Sequence, residues 1–269
     1  MQPGAEPAWP RIMDEIAMRD VWAQFPDPPA KRRKRAAAQK LWRYFRPDYL
    51  QQSLQDGVLY FAPATRFVDP FEGAVQIHPE DWSPHGSAAG FHTLLGTWRI
   101  YTKISCWHRA TCETTAMWEL YAKTGKGVAI RTTIERLHRS IKPLQLERLG
   151  RAAYPLAGDV RYQDLARERV ELGSSGNHPI KRFFYKHEAY AWEQEHRIAF
   201  DLRGLWVDLE KLPKDGVLVE FDRSELVEAL IVGPSLDAAE ASRIEGAASA
   251  AGLADRIVRS SLRGRPGYL

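Results

Sequence analysis

The densest run of ionisable groups is residues 183–200, FFYKHEAYAWEQEHRIAF, where Lys186, Glu193, Glu195 and Arg197 stand among aromatic and apolar residues that otherwise read as core. On an extended segment a side-chain period of two puts Glu193, Glu195 and Arg197 on one face and Gln194, His196 and Ile198 on the other. On a helix, Glu193 and Arg197 would be i,i+4 partners instead. Ile198, Phe200 and Leu202 alternate with Arg197, Ala199 and Asp201, which favours a strand over about 195–202, approached through a helical or irregular piece ending at Trp192. Carboxylates so placed can stabilise a developing positive charge or act as a general base within hydrogen-bond reach. The plainer alternative is a structural charge network of Glu193, Glu195, Arg197 and Lys186 on a sheet face.

Complementary chemistry stands far upstream. Arg43, in Leu41-Trp42-Arg43-Tyr44-Phe45, offers a planar bidentate donor suited to phosphate. Tyr44, Tyr60 and Tyr121 are rings that either stack on a planar ligand or fill the core. In Phe67-Val68-Asp69-Pro70-Phe71-Glu72 the residue before proline leaves helical geometry and Gly73 permits a sharp bend, so Asp69 and Glu72 either point inward or cap the loop's own amides. The expectation is one cleft holding Glu193, Glu195, Arg43 and at least one of the three tyrosines.

The elements that must position these groups are short. LWRYF reads as a strand, Asp48 as the cap of a helix over 49–55 that stops at Asp56-Gly57, and 58–61 as a second strand that could pair with the first. Residues 78–96 read as a loop with a short helix from Gly90, followed by a strand over 100–107 and a helix over 111–122. Strands are expected at 128–131, 157–162, 216–221, 229–232 and 256–260, and helices at 133–141 and 237–251. Trp118, Tyr121, Trp192 and Ile198 fall on inward faces and should be largely buried. Many short strands without regular βαβ alternation indicate an α+β single domain, with a mixed or antiparallel sheet and flanking helices.

Composition sets the frame. With 269 residues, 44% apolar and 27% charged, the chain is ordinary globular material. Residues 1–38 form a proline-rich and basic N-terminal extension with no core of its own, and 39–269 the α+β domain. The extension ends in five consecutive cations, Lys31, Arg32, Arg33, Lys34 and Arg35, either a solvated arm or a contact for phosphate. A net charge of +4 does not by itself mark a nucleic-acid binder. Cys106 and Cys112 fit no zinc or redox spacing, the histidines show no metal-ligand spacing, and no apolar run is long enough for a membrane span, so a cytoplasmic bacterial protein is expected. Gly125-Lys126-Gly127 lacks the spacing of a phosphate-binding loop.

In order along the chain, LWRYF, the 67–72 box, Ser105-Cys106-Trp107, Met117-Trp118 with Tyr121 and Gly125-Lys126-Gly127-Val128, Tyr185-Lys186 with Glu193-x-Glu195-x-Arg197, and Ile231-Val232-Gly233 resemble the bacterial family called domain of unknown function 2971. The resemblance spans residues 40–235. Position 68 departs from it, because the box usually has Asn where this chain has Val. The layout of an Arg-bearing strand, short helix, glycine turn, second strand and late Glu-x-Glu is also similar to ADP-ribosyltransferase-like folds, although the Ser-Thr-Ser box of one clade is missing.

That second resemblance implies NAD as cofactor, Glu195 as the charge-stabilising catalytic carboxylate, Glu193 as the acceptor's base, and Arg43 with Tyr44, Tyr60 and Tyr121 as the cofactor contacts. It implies modification of a macromolecule, as by a toxin or a phage-defence effector. Two alternatives use the same residues. Asp69, Glu72, Glu193 and Glu195 could gather around magnesium in a nuclease, or Arg43 and the basic arm could serve a non-catalytic module that binds nucleic acid or protein.

Overall fold

The computed structural model describes residues 19–20, 36–73, 88–122, 125–168, 179–205 and 207–264. The basic run 31–35, most of the proline-rich extension and the Gly-Ser segment near 173–176 lie outside the described residues. The strands are β1 (Arg19–Asp20), β2 (Lys40–Phe45), β3 (Val58–Pro63), β4 (Thr102–Arg109), β5 (Val128–Thr133), β6 (Leu144–Leu146) and β7 (Arg151–Ala153). They continue as β8 (Leu156–Asp159), β9 (Arg161–Gln163), β10 (Tyr185–His187), β11 (Glu195–Asp201), β12 (Val217–Glu220), β13 (Ala229–Val232) and β14 (Ile257–Arg259). Ten of them make one mixed sheet in the order β1-β8-β11-β4-β2-β5-β13-β14, with β3 and β12 on a branch from β4. Only the edge pairs β1–β8 and β13–β14 are parallel; the other pairings within this sheet are antiparallel. The fold is a single-domain α+β architecture.

The branch is the feature that makes room for a site. The N-terminal half of β4 pairs with β3 (Ala62 with Ile104, Pro63 with Lys103), while its C-terminal end pairs with β2 (Leu41 with Arg109, Trp42 with His108). Between these registers β2 and β3 diverge. The two strands do not pair with each other, as the sequence allowed; the Arg43 side chain bridges them, donating to Ser105 Oγ at 2.7 Å and to the Tyr60 carbonyl at 3.0 Å. On its other edge β4 pairs along its whole length with β11, Glu195 opposite His108 and Arg197 opposite Cys106. Directly opposed residues share a face. Cys106, His108, Glu195 and Arg197 therefore look to one side, and Trp107, His196, Ile198 and Phe200 to the other, which carries the larger apolar core.

Several local expectations needed correction. The helix Pro47–Asp56 starts two residues earlier than a cap at Asp48 implies: Arg46 is the cap residue and Pro47 takes the first helical position, where a missing N–H costs nothing. It ends as expected at Gly57, which adopts φ 70° and donates its N–H to Ser53. The short helix expected from Gly90 is a 14-residue one, Ala88–Tyr101, which also takes the start of the strand expected over 100–107. The helix Ala238–Ala250 is capped by Asp237, which accepts from the Glu240 amide. Trp118 and Ile198 are buried, but Tyr121 and Trp192 are 46% and 45% exposed, so helical and strand periodicity misplaced two of the four aromatic or apolar anchors.

Candidate functional site

Where β2 and β3 part, a cavity of about 410 Å³ opens, within the size range of small-molecule sites. Its lining draws on both ends of the sequence: Arg43, Tyr44 and Tyr60 from β2 and β3, Cys106 and His108 from β4, Tyr121 from the helix Thr115–Tyr121, Asp69 from the loop after β3, and Lys186, Tyr190, Glu193 and Glu195 from the central stretch. Every residue singled out for catalysis or cofactor contact thus borders one space. Their local roles differ.

Glu193 and Glu195 converge because of a backbone irregularity. The chain runs through a 3₁₀ turn, Glu188–Glu193, and enters β11 at Glu195; between them Gln194 sits at φ 45°, the one non-glycine residue with positive φ among the described residues. A left-handed residue with a side chain is uncommon and costs energy, so it persists where its surroundings hold it. Here Gln194 donates its amide to the Ala191 carbonyl and its side chain bridges Ala191 and Arg109. The turn swings Glu193 back beside Glu195, and Lys186 donates to both carboxyls, at 2.7 Å in the case of Glu195.

Behind this pair lies a fully buried guanidinium. Arg197 donates from Nε to Glu195 Oε2 at 2.6 Å and binds Glu72 with both terminal nitrogens, at 2.6 and 3.0 Å, while the Phe183 carbonyl accepts a further bond. Glu72 was thus recruited inward, whereas Asp69 caps its own loop, accepting from the Phe71 amide at 2.9 Å. Gly73, at φ 69°, lets the loop close on Phe183; a Cβ there would collide with that ring. Val68, the departure from the family pattern, is 94% exposed on the cavity rim, so Asp69 rather than residue 68 holds the loop.

The charges explain the titration of the two glutamates. Lys186 stands between Glu193 and Glu195, and Arg197 between Glu195 and Glu72, so three buried carboxyls share two cations, and burial raises Glu72 as well, against the pull of Arg197. Burial, reinforced by its neighbour Glu195, raises the Glu193 carboxyl to about 7 despite Lys186. For Glu195 burial acts against the charge, but Arg197, Glu193 and Lys186 outweigh it and hold the carboxyl well below the usual range. Burial and the nearby Glu195 keep the Cys106 thiol protonated far above its usual value. Burial and Glu193 likewise push up Tyr121, whose hydroxyl donates to Glu193 Oε1 at 3.3 Å.

Arg43 is different in kind. Burial lowers it to about 10, and among the described residues no carboxylate pairs with it. Its guanidinium lies over the Phe45 and Trp107 rings, 5.0 and 5.8 Å from their centroids. A cation kept in a cavity wall without a counter-charge is arranged for an anionic ligand. Of the three tyrosines, Tyr44 is committed to the core: its ring meets Trp118 edge-on at 4.8 Å and its hydroxyl accepts from the Thr114 amide. Tyr60 and Tyr121 are half-exposed; the Tyr60 ring lies against Gly216, and Tyr121 reaches Glu193 with its hydroxyl.

Two further lining residues were not singled out from the sequence. Tyr190 lies 4.5 Å from Lys186 Nζ in a cation–π contact. His108 is buried with Nδ1 2.6 Å from the Glu193 carbonyl. The period-two relation of Cys106 and His108 on one strand was a usable signal for the latter, once β4 was recognised as extending to Arg109.

The acids of the magnesium alternative are mostly spent. Glu72 and Glu195 are paired with Arg197 and Glu193 with Lys186, and among the described residues no group of three or more His, Cys, Asp or Glu is placed to hold a metal. That donor set suits retained cationic side chains better than a hard divalent ion.

A family model described as protein of unknown function (DUF2971) matches residues 117–198. The matched stretch begins at Met117-Trp118 and takes in Tyr121, Lys186, Glu193, Glu195 and Arg197; Arg43 and the 67–72 box lie outside it. No curated protein and no solved structure matches the chain. No helix among the described residues is long and apolar enough to cross a membrane.

Proposed function

We propose that this cleft is an active site for ADP-ribosyl transfer from NAD, with Glu193 as the carboxyl that handles the proton and Arg43 as the contact for the diphosphate. The observation that carries this reading is the convergence of two carboxyls two residues apart on Lys186 in the wall of one cavity that also holds Arg43, in surroundings that raise Glu193 and lower Glu195. Pairs of acids driven apart by their surroundings mark acid–base assignments.

The lining fits the cofactor's chemistry: a guanidinium with no carboxylate partner among the described residues for phosphate, and the half-exposed rings of Tyr60 and Tyr121 for a planar base. NAD, when bound, supplies an ADP-ribosyl group with nicotinamide as the leaving group. Glu193, ionised, takes the proton from the acceptor's nucleophile, and the Tyr121 hydroxyl orients it. Glu195 stays charged, holds Lys186 against Glu193 and gives the cavity a fixed negative wall, although Arg197 and Lys186 offset much of it. A macromolecular acceptor would place the protein among toxins or phage-defence effectors, with residues 31–35 as a contact for its phosphates.

The test is release of nicotinamide from NAD, with melting temperature recorded as NAD is added. The native protein should melt higher with millimolar NAD, by mass action, and Glu193→Gln should lower turnover by on the order of 10². No thermal shift and no nicotinamide release, with candidate acceptors present, would sink the reading. A second reading, a purely structural network, draws support from how completely Glu72, Glu195, Arg197 and Lys186 satisfy one another. Glu193 separates the two, as developed below.

A further inference from the structure

A second cluster of titratable groups begins on the opposite face of the sheet and ends at the turn between Glu193 and Glu195. His138, on the helix Ile134–Ser140, and His196, on β11, meet with their Nε2 atoms 3.0 Å apart. His196 Nδ1 stands 2.7 Å from Asp159 Oδ1, and a carboxylate only accepts, so Nδ1 carries the hydrogen. In the neutral ring His196 Nε2 then presents a lone pair, and His138 Nε2 donates to it. Burial and His196 outweigh Asp159 and lower His138 to about 3, which keeps it a neutral donor. The other oxygen of Asp159 receives Arg109 Nη1, and Arg109 Nη2 donates to Gln194 Oε1 at 3.1 Å. Burial opposes the Asp159 charge, but the bond from His196 and the Arg109 guanidinium outweigh it and hold the carboxyl below its usual value.

This line of contacts arrives at the residue with the costly backbone. Gln194, at φ 45°, bonds the Ala191 carbonyl within its own turn, and its carbonyl accepts from the Arg109 amide at 2.9 Å. The flanking peptides are fixed as well: His108 Nδ1 lies 2.6 Å from the Glu193 carbonyl, and the Glu195 amide donates to the Tyr162 hydroxyl at 2.7 Å. The Arg109 guanidinium adds the side-chain bond that ties Gln194 to a neighbouring strand. A left-handed residue with a side chain persists only where its surroundings hold it. Its reversion would swing Glu193 away from Lys186 and Glu195, because the two glutamates flank it.

We infer that Arg109 and Asp159 are positioning residues of the candidate site: by clamping Gln194 they hold Glu193 against Lys186 and Glu195, while His196 and His138 keep Asp159 turned towards Arg109. Neither Arg109 nor Asp159 lines the cavity. Arginine suits the task because its planar fork reaches Asp159 and Gln194 with different nitrogens in a fixed geometry, which a lysine does not reproduce. The proton-handling role that this placement serves rests on the transferase reading above; the hold on Gln194 does not.

The experiment is a carbon-13 NMR titration of the glutamate side-chain carboxyls in the full chain, with the Glu193 resonance assigned by its loss in Glu193→Gln. The native Glu193 midpoint should lie near 7. It should fall by about one pH unit or more in Arg109→Lys and in Asp159→Asn, because Glu193 then leaves the burial and the Glu195 neighbour that raise it. Asn leaves a single side-chain oxygen for His196 and Arg109 to share. Lys186, Glu195 and Tyr121 face the Glu193 carboxyl, and neither substitution alters them. Both replaced side chains are partly exposed, 24% and 39%, so neither change empties the core. Ile244→Ala, a buried truncation on the helix Ala238–Ala250, lowers stability without touching the line and should keep the native midpoint.

A Glu193 midpoint that stays at the native value in both variants, that moves as much in Ile244→Ala, or that lies at the ordinary carboxyl value in the native protein would overturn the inference. Nicotinamide release from NAD, measured in parallel, separates it from the transferase reading. A midpoint that falls as expected, with no NAD cleaved by the native protein, keeps the positioning residues and removes the transferase reading. NAD cleavage with native midpoints in both variants removes the clamp and leaves that reading.

Discussion

Replacing Glu193 by Gln should stabilise the protein at alkaline pH while cutting the turnover proposed above by on the order of 10², a combination that a structural ion pair would not produce. Glu193 titrates near 7 in the folded chain, against an ordinary value of 4.5. An acid raised on folding contributes relative stability that is fully present below its unfolded value and is lost as pH rises through the folded one. At pH 8 the ionised carboxyl therefore costs about 3 kcal/mol relative to a neutral group making the same contacts, falling to about 1 kcal/mol near pH 5. Gln keeps an oxygen for Lys186 and for the Tyr121 hydroxyl but carries no charge, and Lys186 retains Glu195 as its counter-ion. For a chain of this size the difference corresponds to a melting temperature higher by about 5–10 °C at pH 8, shrinking towards zero near pH 5. Calorimetry or circular dichroism melts of both proteins across pH 5–8.5 measure it. A Gln variant that melts lower than the native protein at pH 8 would refute the reasoning, because Glu193 would then be a net stabilising partner of Lys186 and the network structural throughout.

Other expectations follow from the same geometry. Arg197→Met strips the cation from Glu72 and Glu195, both buried, and should cost about 3–5 kcal/mol; the loss should be larger at pH 8 than at pH 5, because the two orphaned carboxyls can relieve it by binding protons. In the native protein the sign is opposite for Glu195, whose lowered value contributes stability present above the ordinary carboxyl range and lost as pH falls through it. Arg43→Gln keeps bonds to Ser105 and Tyr60 within reach but removes the charge, so the affinity for phosphate-bearing ligands should fall by tenfold or more in a titration while melting shifts little. Gly127→Ala would drive a Cβ into Ala122 and the Phe45 carbonyl, and chemical denaturation should show a loss of about 1–3 kcal/mol.

The sequence by itself determined what depends on neighbours along the chain. The strand over Glu195–Asp201 followed from strict alternation, a helical or irregular approach, found as a 3₁₀ turn, from its absence, and the stop at Gly57 from the residue type that tolerates a left-handed conformation. The helix expected over 237–251 is present as Ala238–Ala250, with Asp237 as its cap. Order and spacing of short motifs indicated the family, whose model matches 117–198. The helix Ala88–Tyr101 was harder to read because its Gly, His and Thr residues blur the apolar stripe that a helix normally shows. Periodicity also overstated the burial of Tyr121 and Trp192; in the case of Tyr121 the face is inward on its own element and still borders a cavity.

Tertiary structure alone decided the rest. That β2 and β3 both pair with β4 and then separate, with Arg43 bridging the gap, is a matter of long-range register. The Glu193 carboxyl is raised because burial and Glu195 outweigh Lys186 where these side chains meet. Three buried carboxyls, Glu72, Glu193 and Glu195, share two cations there, and no local pattern in the sequence carries that balance.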